Sequence, residues 1–201
     1  ILLESISGDI NCQSSGGFIS LIEVDANTIS CRASGGEIIG DNLNGNLILK
    51  CFGDKIQIKN ISGTSNLYSS GGDIVVENFS GALLINSEKG DIIIDGAVGG
   101  IEAVTSSGDI NADLSYDSSV NDYSVYMETH LGNIKTIVPK NYPANMENIV
   151  YQTTSIKSID SEIILNIDVE HEKVIGKRSI AGGMIPFSLK AHHGTITIRD
   201  K

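Results

Sequence analysis

Apolar and polar positions alternate along the chain in short bursts, and the bursts recur at a fixed spacing. Glycine marks the recurrence at Gly8, Gly17, Gly36, Gly45, Gly63, Gly72, Gly81, Gly90, Gly99 and Gly108. The marks lie nine residues apart, or a multiple of nine, except for one extra residue within Asp25–Asn27. Asn27 and Asp54 replace glycine at two marks, and both are turn formers. Units starting two residues after each mark come in two alternating kinds, so the full period is 18 residues. One kind begins at Ile10, Ile29, Leu47, Ser65, Leu83 and Ile101. The other begins with isoleucine throughout: Ile19, Ile38, Ile56, Ile74, Ile92 and Ile110. Apolar residues at the first and third positions of a unit describe a short strand with one buried face.

Nine residues per half-repeat leave no room for a helical crossover. The spacing predicts an all-β fold, a single-stranded β-helix or β-solenoid with about 18 residues per coil and two short strands per coil. Six coils stacked roughly 4.8 Å apart would make a prism roughly 30 Å long. The isoleucines would form an internal ladder of identical side chains. The competing architectures, a β-meander or a β-sandwich, favour longer strands and looser spacing.

The repeat ends near Leu114. Residues 1–115 are therefore read as the solenoid, and residues 116–201 as wider terminal coils and a β-rich cap of the same continuous domain. Residues 116–124 are polar and loop-like. Alternation returns at Val125 and Met127, over Ile163–Val169, over Ile185–Ala191 and at Ile196–Ile198. Ile163–Val169 is read as a seven-residue strand, longer than any in the solenoid. A cap follows from physics as well, because an open solenoid end exposes unpaired strand edges.

Composition narrows the functions. The net charge is −11, concentrated in residues 1–150, which carry 19 acidic and 7 basic side chains. Such a surface excludes nucleic acid and anionic lipid as partners. No apolar run reaches the roughly 20 residues of a transmembrane helix. Aromatic residues make up only 5% and Trp is missing, so the expected core is aliphatic.

The runs Ser-Gly-Asp-Ile (7–10 and 107–110), Gly-Gly-Asp-Ile (71–74) and Lys-Gly-Asp-Ile (89–92) resemble a bacterial family of β-helix domains that carries the label adhesin. The closing segments Ser179–Gly183, Ile185–Leu189 and His193–Arg199 resemble that family's ending. The resemblance implies a non-catalytic β-helix exported to the periplasm, outer membrane or cell surface. It brings no catalytic residues, no cofactor and no ligand.

Candidate chemistry is sparse. Asp73, Asp91 and Asp109 share one column after the turn mark, with Glu37 earlier in it and Lys55 interrupting it. A carboxylate column offers oxygen ligands for Ca²⁺, although the calcium-binding nonapeptide pattern is missing and solvated acids are the plainer reading. Cys12 and Cys31 fall one coil apart in another column, a candidate disulfide in an oxidising compartment; free buried thiols are the plainer reading, and Cys51 lies in the next inward column. His192 and His193 point to opposite faces of a strand, and His130 and His171 show no partner spacing, so all four read as surface residues. No nucleophile elbow or P-loop is present. Ser20, Ser30, Ile48, Gln57, Tyr68, Val75, Leu84, Ile93 and Glu102 are expected on outer faces, where the apolar ones call for a cover.

The sequence thus predicts a shaft that binds an unknown protein or glycan partner through an outer face. Self-assembly into a homo-oligomeric scaffold is the first alternative. A carbohydrate-cleaving enzyme is the second, and it requires a groove with two carboxylates.

Overall fold

The computed structural model of the chain describes residues 1–201. Sixteen strands follow one another: β1 (Leu2–Ser7), β2 (Ile10–Ser14), β3 (Ile19–Ala33), β4 (Ile38–Cys51), β5 (Ile56–Ser69), β6 (Ile74–Ser87), β7 (Ile92–Ser107), β8 (Ile110–Leu114), β9 (Val125–Leu131), β10 (Ile134–Val138), β11 (Ala144–Tyr151), β12 (Ile159–Ser161), β13 (Asn166–Glu170), β14 (Lys173–Ser179), β15 (Ile185–His193) and β16 (Ile196–Asp200). The one helical turn is a short 3₁₀ segment, Ile156–Ser158.

From β1 to β10 every pairing is parallel, and the register advances one coil at a time. The solenoid expected from the 18-residue period is therefore present. The extra residue near Asp25–Asn27 is a bulge, with the register shifting between Asp25 and Thr28. The isoleucine column exceeds the six predicted members. Ile19, Ile38, Ile56, Ile74, Ile92, Ile110, Ile134, Ile196 and Ile159 are successive register partners. All are buried, and one apolar core runs without a break from Ile10 to Ile198.

The two half-coil strands do not separate at one of their two glycine marks. β4, β5 and β6 each run 14 residues through both halves and bend at a corner. The bend has two parts. Asn42, Asn60 and Asn78 adopt φ of 53–56°, the left-handed region that asparagine tolerates. Three residues later Gly45, Gly63 and Gly81 adopt φ of 119–137°. The asparagines also bond along the stack: Asn78 Nδ2 donates to Asn60 Oδ1 (3.1 Å) and Asn60 Nδ2 to Asp41 Oδ1 (2.9 Å).

The Asn60 amide, followed by Lys59, holds the Asp41 carboxyl below the ordinary carboxylate range. A lowered folded-state value stabilises the fold above the unfolded value of about 3.9, and the contribution disappears as pH falls through the folded value. Asn60→Gly keeps the left-handed backbone and removes the amide. Asp41 should then titrate at higher pH, as read by carboxyl NMR; an unchanged titration would mean that the ladder bond does not form.

The second mark in each coil is a true turn, and it explains the Gly-Asp-Ile signature. The Asp91 N–H donates to Asp73 Oδ1 (2.8 Å), the Asp109 N–H to Asp91 Oδ1 (2.8 Å) and the Asn133 N–H to Asp109 Oδ1 (2.7 Å). Each carboxylate thus receives the backbone N–H of the next coil. On the inner side of these turns, Ser69 Oγ and Ser87 Oγ donate to carbonyls of their own turn, and Cys51 Sγ, Thr105 Oγ1 and Thr129 Oγ1 to carbonyls of the preceding coil's turn. Cys51 stands in this column as a substitute for a hydroxyl.

The C-terminal part closes the stack out of sequence order. β11 and β12 are laid down two levels beyond β9 and β10, with room for one strand left between. The chain then leaves through the antiparallel pair β13–β14 and returns. β15 enters between β9 and β11, and β16 between β10 and β12. The strand expected over Ile163–Val169 is shorter, Asn166–Glu170, and forms the exposed outer edge on β14. Its alternating apolar side chains partly cover the cap: Leu165 and Ile167 lie against Gly176. The aliphatic-core expectation holds for the shaft apart from the buried Phe79, and fails in the cap. There Tyr123, Tyr142 and Phe187 are buried edge to face, and Tyr142 Oη donates to the Tyr123 carbonyl (2.8 Å).

Candidate functional site

Chemistry gathers where the repeat is first interrupted, on the outer face of β7, β9, β15 and β11. The 115–124 segment leaves the stack after β8, and Asp122 Oδ1 accepts the Ser124 N–H (2.9 Å) as the chain re-enters β9. This segment forms one wall of a groove of 340 Å³. Leu84, Glu102, Asp122, Tyr126, Pro186 and Ser188 contribute to its lining. Leu84 and Glu102 are thus outward-facing, as expected. Ile48 and Val75 are half-buried and Ile93 is exposed, so no element covers the apolar outer residues as a whole.

One register step along the same face lies a polar cluster. Val125, Met127 and Thr129 turn inward on β9, which sends Tyr126, Glu128 and His130 outward. β15 aligns Lys190 with Glu128 and Ala191 with Thr129, so His192 stands beside His130. His192 Nε2 lies 2.6 Å from Glu128 Oε1. The Tyr126 hydroxyl donates to the other carboxylate oxygen, and Lys190 Nζ sits 4.9 Å from the centre of the Tyr126 ring. The rings of His130, His192 and Tyr151 form a parallel stack with centroids 4.6 Å apart at each step.

Burial alone would raise the Glu128 carboxyl. Hydrogen bonds from Tyr126 and His192, with the neighbouring imidazoles, more than offset it, and the net shift is downward. Burial and the Glu128 carboxylate push the Tyr126 hydroxyl well above its ordinary value. The cluster therefore holds an ionised carboxylate between two imidazoles and a protonated phenol.

The residues singled out by sequence lie elsewhere. Asp73, Asp91 and Asp109 occupy successive turns on the shaft, with one oxygen of each engaged by a backbone N–H from the next coil. Lys55, which interrupts that column, pairs with Glu37 at 3.6 Å. Cys12 and Cys31 are register partners on β2 and β3, both free thiols, with Cys31 buried and Cys12 half-buried. Their mutual hydrogen bond lowers Cys12 and raises Cys31, so any thiolate character belongs to Cys12.

The histidine reading needs correction. His130 and His192 are not isolated surface residues but neighbours. Glu128 and His192 lie 64 residues apart in the chain, and only the return of β15 beside β9 joins them. Periodicity within the repeat carries no sign of this. His193 points away from His192 along the strand, as expected.

No helix is long and apolar enough to cross a membrane. No curated protein and no solved structure matches the chain. The profile of one family does match, over residues 3–199, nearly the whole length that the Gly-Asp-Ile runs and the closing pattern span. With its β-solenoid architecture and this full-length match, the chain belongs to the Toastrack DUF4097 family.

Proposed function

We propose that this protein is a non-catalytic, exported module of the bacterial cell envelope that binds a glycan in the groove between β7, β9 and the 115–124 segment. The observation that carries the reading is the lining of that groove. Leu84 and the Tyr126 ring offer apolar surface for the C–H faces of a sugar, while Glu102, Asp122, Ser124 and Ser188 surround it with hydrogen-bonding oxygens. A volume of 340 Å³ lies within the usual range for small-ligand sites, roughly 300–1,000 Å³. The groove sits on a rigid parallel stack, so little ordering is needed on binding. The net charge of −11 favours neutral or amino sugars over sulfated or uronic ones. The envelope location rests on the resemblance to the adhesin-labelled domains, and the binding role on the groove.

Calorimetric titration of the full chain with neutral, cationic and anionic oligosaccharides tests this. Binding by neutral or cationic members is expected, and Leu84→Asp and Glu102→Ala should abolish it without lowering Tm. Failure of every oligosaccharide to bind, or binding untouched by both variants, would contradict it.

A second reading, carbohydrate cleavage, is favoured by one observation: Glu102 and Asp122 line the same groove. Asp122 is already committed to holding Ser124, which weighs toward binding alone. The same samples decide the matter, because cleavage would release new reducing ends that Glu102→Gln abolishes.

A further inference from the structure

Two imidazoles and a carboxylate meet on the outer face beyond the groove. One ligand atom from each of Glu128, His130 and His192 lies within 4.8 Å of the other two. We propose that these three residues bind one divalent transition-metal cation, with Zn²⁺ as the best match to the donor set.

The donors select the ion. Ca²⁺ and Mg²⁺ prefer all-oxygen shells of six or more ligands, whereas two imidazole nitrogens and one carboxylate oxygen suit Zn²⁺. Three protein ligands leave a fourth position on the solvent side, the open arrangement of zinc sites that take a water or an exogenous ligand. The scaffold is rigid. Glu128 and His130 are alternate residues of β9, and His192 stands on the adjacent parallel strand β15. Tyr126 already holds the second carboxylate oxygen, the kind of outer contact that orients a metal ligand. Lys190, the nearest cation on β15, is drawn over the Tyr126 ring.

Loading needs small movements. Zinc bonds of about 2.0–2.2 Å place neighbouring tetrahedral donors about 3.3 Å apart. His192 Nε2 and Glu128 Oε1, now 2.6 Å apart, therefore separate slightly as the ion replaces their shared proton. The lone pairs of two parallel rings do not point to one centre, so His130, exposed at the strand end, turns out of its stack with His192. On the far side of His192 from His130, a separate groove of 350 Å³ is lined also by Tyr151, Glu170, His171 and Glu172.

The inference is independent of glycan binding. Of the groove lining, only Tyr126 touches the cluster, and Leu84 and Glu102 take no part in it.

The test is titration of the untagged full chain with Zn²⁺ by calorimetry, and with Co²⁺ by visible absorption. One ion per chain is expected, with Co²⁺ showing the strong bands of a four-coordinate site. His130→Ala and His192→Ala should each abolish the bands and weaken Zn²⁺ binding by more than the roughly 10-fold to 100-fold of an outer-contact variant, Tyr126→Phe. His193→Ala, on the opposite side of β15, should bind as the native chain does. Metal-free Tm and circular dichroism show whether each variant is folded, and Glu128→Gln, which preserves shape, replaces any that is not. No binding by the folded native chain, or binding equal in the native chain and the two histidine variants, would overturn the proposal.

Discussion

Gly81→Ala should lower stability by about 3 kcal/mol, a fall in Tm of roughly 10 °C for a domain of this size. A methyl group at residue 81 would lie 1.9 Å from the Gly63 carbonyl oxygen of the preceding coil, and the backbone there has φ of 137°. The obstacle is backbone, so no rotamer change relieves it. The same approach recurs up the corner at Gly63 and Gly99. Gly8→Ala is the control, because Gly8 also has positive φ, 102°, but nothing stands within 4 Å of its Cβ position. It should lose only the conformational component, about 1 kcal/mol. Equal effects at the two positions would mean that the coils are not in contact at the corner.

The second large effect concerns the returning strands. A chain ending at Met184 loses β15 and β16, and with them Phe187, Leu189, Ile196 and Ile198, each at most 1% exposed. Burial of four such side chains contributes roughly 8 kcal/mol, comparable to the whole stability of a typical domain. The loss falls in the middle of the stack and opens the inner edges of β9, β10, β11 and β12 together. Because stacked repeats contact chiefly their neighbours, the shaft should survive better than the cap. Limited proteolysis should cut the shortened chain between residues 115 and 184 while sparing the strands before Leu114. Uniform protection would show that β15 lies outside the stack, and uniform digestion that shaft and cap form one cooperative unit.

These two predictions mark the boundary between what could be read from the sequence and what could not. The isoleucine column was legible because one coil equals one repeat, so position 38 predicts positions 56, 74, 92 and 110. Asp73, Asp91 and Asp109 were visible as a column for the same reason. Their role was not, because a carboxylate accepting the next coil's N–H leaves no trace beyond the column itself. The left-handed Asn42, Asn60 and Asn78 recur every 18 residues and could have been found by the same bookkeeping. Alternation does not reveal them, because it marks the face a residue takes and not the sign of its φ.

The candidate site was legible only in fragments. Leu84 and Glu102 were placed outward correctly by alternation along their strand. Glu128, His130 and His192 could not be joined, because the register between β9 and β15 is set by a return over the cap rather than by a repeat. The mismatch at Ile163–Val169 has a related cause. Alternation there reflects side chains that cover Gly176 and the cap, and not a strand extending over all seven residues.

β15 lies between β9 and β11, and that placement closes the core and brings His192 to Glu128 and His130. Interstrand backbone NOEs from β15 test it most directly. Contacts are expected from Leu189 to both Met127 on β9 and Asn148 on β11, its two register partners. Direct contacts between Met127 and Asn148, with none from Leu189 to either, would place β11 on β9 and contradict both the closure of the core and the site built on it.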